Sequence, residues 1–363
     1  MAANAEEYQN KVMLTVDHGF QSLLLVVGQK IKLFDHLGSE SEPRSSAEVA
    51  KLAGLKERYV REWLNGMVTS GFVECDTTGE TYWLTSSAKE ALKNERVQRA
   101  LRLTTWVPFF SPVLNELCEC FKMDGPAGMP YSAYDSFYEM MAAWSDPEFV
   151  STLIPRFLPT VPGLIEQLEK GITCLDVGCG TGTVSILLAA HFPNSHFYGL
   201  DVVEEAIAKA ISKARDQSLT NAHFVAADAK QMPGDWTSKF DYVTAFDCIH
   251  DLPRPDLALV EIKRVLKPTG RLSVSDIYAH SNVFENKDDK KANFLYTASL
   301  FVCVPVSLNG PGGFGLGAMW GIEKAKALIT GAGFEKVEIL DTPIKEEIDV
   351  RYKVHYLCYK AAE

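Results

Sequence analysis

Residues 174–183 read CLDVGCGTGT, an apolar run that meets Asp176 and then glycine at 178, 180 and 182. A regular strand loses packing and order at such closely spaced glycines, so the run ends in a turn. The stretch from Thr183 to His191 then has the length and apolar content of a helix. Strand, glycine turn and helix together aim backbone N–H groups and a helix N-terminus at a ligand. The surroundings repeat the pattern. Strands are predicted at 172–178, 196–201, 223–227, 242–246, 271–276, 337–341 and 353–359. Helices are predicted at 183–191, 204–217, 255–266 and 322–331. Such alternation specifies an α/β fold, a seven-stranded, mostly parallel, Rossmann-like sheet with helices on both faces. The last two strands lack an intervening helix and are expected to pair antiparallel.

Three nucleotide classes compete for the glycine turn. A phosphate loop of the GxxxxGK[ST] kind needs a lysine after the glycines, and none follows Gly182. The dinucleotide fingerprint GxGxxG is one residue longer than the GxGxG found here. Asp176 would also repel a pyrophosphate. An acid in that place suits a ligand with a cationic ammonium group and no phosphate, and S-adenosylmethionine is such a ligand. Asp201 closes the second strand, where a carboxylate can accept both ribose hydroxyls, with Val202 beside it. Asp228 follows the third strand, with Ala229 next to it, and can accept from an adenine amine. Each acid alone could equally cap a helix; three on successive strand ends favour a cofactor.

The N-terminal third has another texture. Ser45 precedes a short periodic helix that stops at Gly54, and a second helix over 57–70 carries Val60, Trp63, Leu64 and Met67 on one face. Two short strands then flank the turn signal at 76–79. Helix, turn, helix, hairpin is the order of a winged helix. Residues 106–165 are rich in aromatics and proline and are expected to join the domains and cap a pocket. The expected organisation is therefore 1–105 winged helix, 106–165 helical linker, and 166–363 catalytic domain.

The motifs LDVGCGTG, YGLD, AAD and LKPTGR resemble, in that order, those of class I S-adenosylmethionine-dependent methyltransferases. With the winged helix in front, the whole chain resembles small-molecule O-methyltransferases of the plant caffeate type. The resemblance implies methyl transfer to a small-molecule acceptor through an O, N or S nucleophile, with S-adenosylhomocysteine as product. It also implies a homodimer joined through the winged-helix region. Asp247 and Cys248 follow the fourth strand and border the cofactor. His250-Asp251 matches a His-Asp dipeptide whose histidine is the general base in those enzymes, so both are candidate catalytic residues. The acid that orients that histidine has no counterpart near Met319, which leaves Asp251, Asp276 or Glu139 to do so. An insertion after the fifth strand, ending in the glycine-rich run 309–321, is expected to form a lid. Tyr278, Tyr296 and Trp320 in it, and Tyr138 before it, are candidate acceptor-binding residues.

Charge narrows the alternatives. The chain has a net charge of −11 and a pI near 5.3, which disfavours nucleic acid as a partner, because such partners need surplus Lys and Arg. The winged-helix stretch 44–62 balances five basic residues with three acids. A ligand-responsive transcription regulator and a protein or RNA methyltransferase remain as alternatives. The apolar run 20–28 is too short to span a bilayer, so no membrane contact is expected. The eight cysteines are scattered, with no CxxC pair or His cluster. Reduced thiols, a cytoplasmic location and no metal site are the expectation.

Overall fold

A computed structural model describes residues 4–340 and 353–360. The chain divides into two compact units, Met1–Pro112 and Val113–Glu363. Residues 113–165, set apart in the sequence as a linker, fall within the second unit.

In the first unit, α1 (Ala5–Lys30) is followed by β1 (Gly38–Ser39) and β2 (Arg44–Ser45). Next come α2 (Ser46–Ala53), α3 (Glu57–Thr69), β3 (Glu74–Cys75), β4 (Thr81–Leu84), α4 (Ser86–Lys93), α5 (Glu95–Thr104) and α6 (Trp106–Phe110). Ser45 and Glu48 close a reciprocal capping box at the start of α2, and Gly54 ends it at φ +67°. β3 and β4 form the wing. The sequence pattern did not reveal β1 and β2, two residues each, which also pair with β4. Val49, Val60, Leu64 and Met67 are buried beneath the wing, and the Trp63 indole donates to Leu24 O at 2.9 Å. Along α1, by contrast, Tyr8, Val12, Val16, Phe20, Leu23 and Val27 are exposed.

The second unit opens with α7 (Leu114–Cys120), α8 (Phe137–Thr152) and α9 (Leu164–Lys170). The sheet elements follow: β5 (Thr173–Val177), α10 (Thr183–His191), β6 (His196–Asp201), α11 (Glu204–Asp216), β7 (Ala222–Ala226), β8 (Phe240–Phe246), α12 (Pro255–Val265) and β9 (Leu266–Ile277). α13 (Val283–Asn286), α14 (Ala292–Ala298), α15 (Val304–Leu308), α16 (Ile322–Gly331), β10 (Lys336–Leu340) and β11 (Lys353–Tyr359) complete it. Seven strands run in the order β10-β11-β9-β8-β5-β6-β7. β11 lies antiparallel to both β9 and β10, and the rest are parallel. Residues 341–352, which include the strand end expected at Asp341, lie outside the described residues.

Side chains alternate across β5 as a strand buried on both faces requires. Leu175 and Val177 pack with Leu259, Ile262 and Val265 of α12. Cys174 faces the other layer, with Leu164, Leu168 and Leu188. Each fully buried aliphatic side chain of this kind contributes about 1.5–3 kcal/mol. This rigid sheet fixes the strand ends that carry the site.

Two expectations change. LKPTGR is the start of the twelve-residue strand β9, and a register shift opposite Phe240 and Tyr242 absorbs its proline and glycine. The insertion is also less loop-like than its glycines suggested. Residues 292–308 are continuously helical, α14 and α15 being joined by a π-helical segment at Ser299–Cys303.

Candidate active site

The glycine turn is built by backbone demand. Gly178, Gly180 and Gly182 have φ of +71°, +52° and +79°, which L-residues with a Cβ rarely adopt. A Cβ on Gly182 would stand 2.6 Å from the Phe224 ring, and one on Gly178 2.5 Å from Cys248 Cβ. Gly178 N and Cys179 N both donate to Leu200 O, at 2.8 and 3.0 Å. Gly180 N donates to Asp201 Oδ2 at 2.9 Å. The turn is thus sewn to the end of β6.

Asp176 is buried at the centre, and Thr244 Oγ1 donates to it at 2.7 Å. Burial pushes its carboxyl up to about 7, and the Asp201 charge adds to the rise while the Thr244 hydroxyl opposes it. A ligand ammonium beside Asp176 would restore the carboxylate. Asp201 Oδ1 accepts from Val203 N at 3.0 Å and from the Tyr138 hydroxyl at 3.1 Å. Asp228 is more exposed, accepts from Lys230 N at 3.0 Å and pairs with the Lys230 ammonium. Ala229 is buried behind it and Val202 is exposed. An acid for an ammonium, a positive-φ glycine turn and an acid for ribose hydroxyls fit S-adenosylmethionine.

The segment after β8 carries the other half. Asp247 sits at φ +49° and is ion-paired with Lys353 of β11, while its Oδ1 is buried without a hydrogen-bond partner. Burial would lower the Lys353 ammonium, but Asp247 and Glu148 override it and raise it. Cys248 Sγ donates to Val177 O at 3.1 Å.

His250 lies in a 3-10 turn, Ile249–Asp251, and is only 3 % exposed. Its Nδ1 donates to Asp276 Oδ1 at 2.8 Å, which leaves Nε2 3.4 Å from Asp251 Oδ1. Asp276, one residue before the end of β9, also accepts from Ile277 N at 2.7 Å. Of the three acids named for orienting the histidine, Asp276 holds Nδ1. Glu139 is exposed and paired with Lys209. Burial would lower the His250 imidazole, but the Asp276 and Asp251 carboxylates outweigh it and hold the ring well above its ordinary value. Cys303, at the end of the π-helical segment, is buried against the pair; a His250 ring nitrogen, an Asp251 oxygen and Cys303 Sγ lie within 4.8 Å of one another.

The four candidate acceptor residues scatter. Tyr138 stands over the glycine turn and bonds Asp201, on the cofactor side. Trp320 is packed in the main core, turned inward by the glycines around it. Tyr278 is half-buried beside His280, and the Tyr296 hydroxyl accepts from Asn286 Nδ2 at 3.4 Å. Cys303 and Lys353 were not singled out from the sequence as site residues. Lys353 did carry a signal, as a charge opening the apolar strand KVHYLCY. Cys303 carried none.

A family profile for a methyltransferase domain matches residues 168–329. Over that span the chain is similar to a methyltransferase domain. Residues 19–93 match an Rv2258c-like winged HTH domain, so the methyltransferase domain follows a winged helix. The demethylmenaquinone methyltransferase of Listeria welshimeri is 33 % identical over 136 residues, which are 37 % of this chain and 57 % of that protein. The chain thus spans little more than half the length of that relative. Two solved structures share the fold across both units. An O-methyltransferase family protein from Burkholderia thailandensis superposes with a TM-score of 0.65 at 16 % identity, covering 100 % of both chains. Human N-acetylserotonin methyltransferase, in complex with S-adenosylmethionine, gives 0.62 at 14 % identity, again covering 100 % of both.

Proposed function

We propose that the chain transfers a methyl group from S-adenosylmethionine to a small-molecule acceptor, and that His250 Nε2 takes the acceptor's proton. The observation that carries this is the 2.8 Å bond from His250 Nδ1 to Asp276. It fixes the tautomer and leaves Nε2 as the edge available for proton transfer.

Asp176 would hold the cofactor's ammonium, the glycine turn its carboxylate, Asp201 the ribose, and Asp228 with Ala229 the adenine. Val202, Asp247 and Cys248 would line the same site. Bound S-adenosylmethionine supplies a methyl group already made electrophilic by its sulfonium. The chain's own task is to align the acceptor and handle one proton. Asp276 and Asp251 favour the imidazolium; the positive charge of a bound cofactor among these acids would disfavour it and work toward the accepting form. The structural neighbour that is an O-methyltransferase family protein favours an oxygen nucleophile.

The winged-helix unit is assigned to a homodimer and not to nucleic acid. The apolar stripe on α1 suits a second copy, and Arg58 and Arg61 on α3 are paired with Glu62 and Glu57. Among the described residues no helix is long and apolar enough to cross a membrane.

The test is incubation with labelled S-adenosylmethionine and a fractionated metabolite extract, with mass identification of the labelled product. His250→Ala is expected to slow turnover by about 10²-fold or more while cofactor affinity, measured by calorimetry, is kept. Wild-type turnover in that variant refutes the base assignment.

A further inference from the structure

We propose that His250 Nε2, Asp251 and Cys303 form a binding site for a thiophilic divalent cation of the zinc type, with Asp276 supporting the imidazole from behind. The inference rests on the reading of His250 given above, because the cation would take the lone pair that proton transfer needs. Zinc at this site is therefore an inhibitor.

Four observations converge. The three donor atoms lie within 4.8 Å of one another, a spacing that a cation bonded at about 2.0–2.3 Å can draw together. Imidazole, carboxylate and thiolate are a donor set that selects zinc over magnesium or calcium, which take oxygen ligands. Asp251 Oδ1 is buried and makes no hydrogen bond; it only faces His250 Nε2 across 3.4 Å, a gap that a cation bonded to both would close. Finally, the Nδ1–Asp276 bond at 2.8 Å is the carboxylate–histidine support that metal-binding imidazoles use. Cys303 is brought in by the π-helical segment Ser299–Cys303, and such bulges are frequent at functional sites. Three protein ligands leave a fourth position open to water or to an acceptor heteroatom.

A second cluster shows the contrast. His280, Glu285 and Glu323 also lie within reach of one cation, but all three are at least one-third exposed. Glu323 is already engaged by Ser281 N at 2.8 Å and by His280. It is a surface ion-pair group.

The experiment uses the full chain carrying Cys118→Ser and Cys120→Ser, which removes the Cys-Glu-Cys pair outside the site. After chelator treatment it is titrated with cobalt(II), and zinc is then added. One cobalt per chain is expected, with thiolate-to-cobalt charge-transfer absorption in the near ultraviolet and tetrahedral visible bands, both bleached by zinc. Cys303→Ser in that background should lose the charge-transfer band, and Asp276→Asn should weaken zinc binding by about 10- to 100-fold. Asp251→Asn serves as the second ligand variant if the serine chain fails to fold by circular dichroism. Zinc should inhibit methyl transfer by the parent and inhibit the Cys303→Ser chain less, each scored against its own metal-free rate. Absence of the thiolate band in the parent, or its persistence in Cys303→Ser, overturns the proposal. The cobalt spectrum needs no turnover, so failure of the proton-acceptor reading, scored by His250→Ala without metal, is seen separately.

Discussion

Acid should destabilise the catalytic unit through one histidine far down the chain, His355 on β11. It is fully buried. Its ring stacks on Phe157 at 4.4 Å, and its two nitrogens meet Thr160 Oγ1 at 3.1 Å and Ser273 Oγ at 2.7 Å. Burial among these neutral groups lowers the imidazole to about 4 from 6.5. A depressed histidine binds its proton more readily in the unfolded chain, so its contribution is complete above pH 6.5 and is lost as pH falls toward 4. Each pH unit across that window is worth about 1.4 kcal/mol. Lowering the pH from 6.5 to 5 therefore costs about 2 kcal/mol, and the full drop to 4 about 3 kcal/mol. For a unit of this size, 2 kcal/mol corresponds to about 4–8 °C in melting temperature. Other acids in the unit titrate as well, and Asp176, raised toward 7, contributes with the opposite sign. The measurement is thus a difference. Calorimetric melts at pH 7 and pH 5 are compared for wild type and His355→Gln, whose amide can bond both hydroxyls without titrating. The variant should lose about 4–8 °C less than wild type on acidification. Equal losses in both chains would refute the reasoning.

Two further outcomes follow from the geometry. Gly182→Ala sets a Cβ 2.6 Å from the Phe224 ring at φ +79°, so it should cost about 1–3 kcal/mol of stability and weaken S-adenosylhomocysteine binding in calorimetry at least tenfold; unchanged binding would contradict the role of the turn. Phe20→Asp, in the middle of the exposed α1 stripe, should convert a dimer to a monomer in sedimentation velocity, and an unchanged sedimentation coefficient would remove α1 from the interface.

Much of the catalytic unit was legible because its sheet is buried on both faces. Apolar runs such as that ending at Val177 stop at glycine or at an acid, and Asp176, Asp201 and Asp228 mark three strand ends without any tertiary information. Proline and glycine misled at β9, where a register shift accommodates Pro268 and Gly270 within a strand. The far wall of the site was not legible. Cys303 lies in an apolar helix, and only the extra residue of a π turn, which leaves no periodic trace, brings it to His250. Trp320 looked available to a ligand because glycines surround it, yet those glycines let the chain turn the ring into the core. Tyr138 was read as an acceptor contact from composition alone, whereas the position of α8 brings its hydroxyl to Asp201.

The place of β11 also bears on how the protein is made. It is the last strand in chain order among the described residues, yet it is inserted between β9 and β10. Until it leaves the ribosome, β9 presents an unpaired edge, a template for wrong pairing. The same strand supplies Lys353 to Asp247, so the Asp247 charge beside the cofactor turn stays unbalanced until β11 has been made. A nascent chain halted before residue 353 therefore has its cofactor glycines but an open sheet edge, and needs protection from aggregation at the very stage when most of its core already exists.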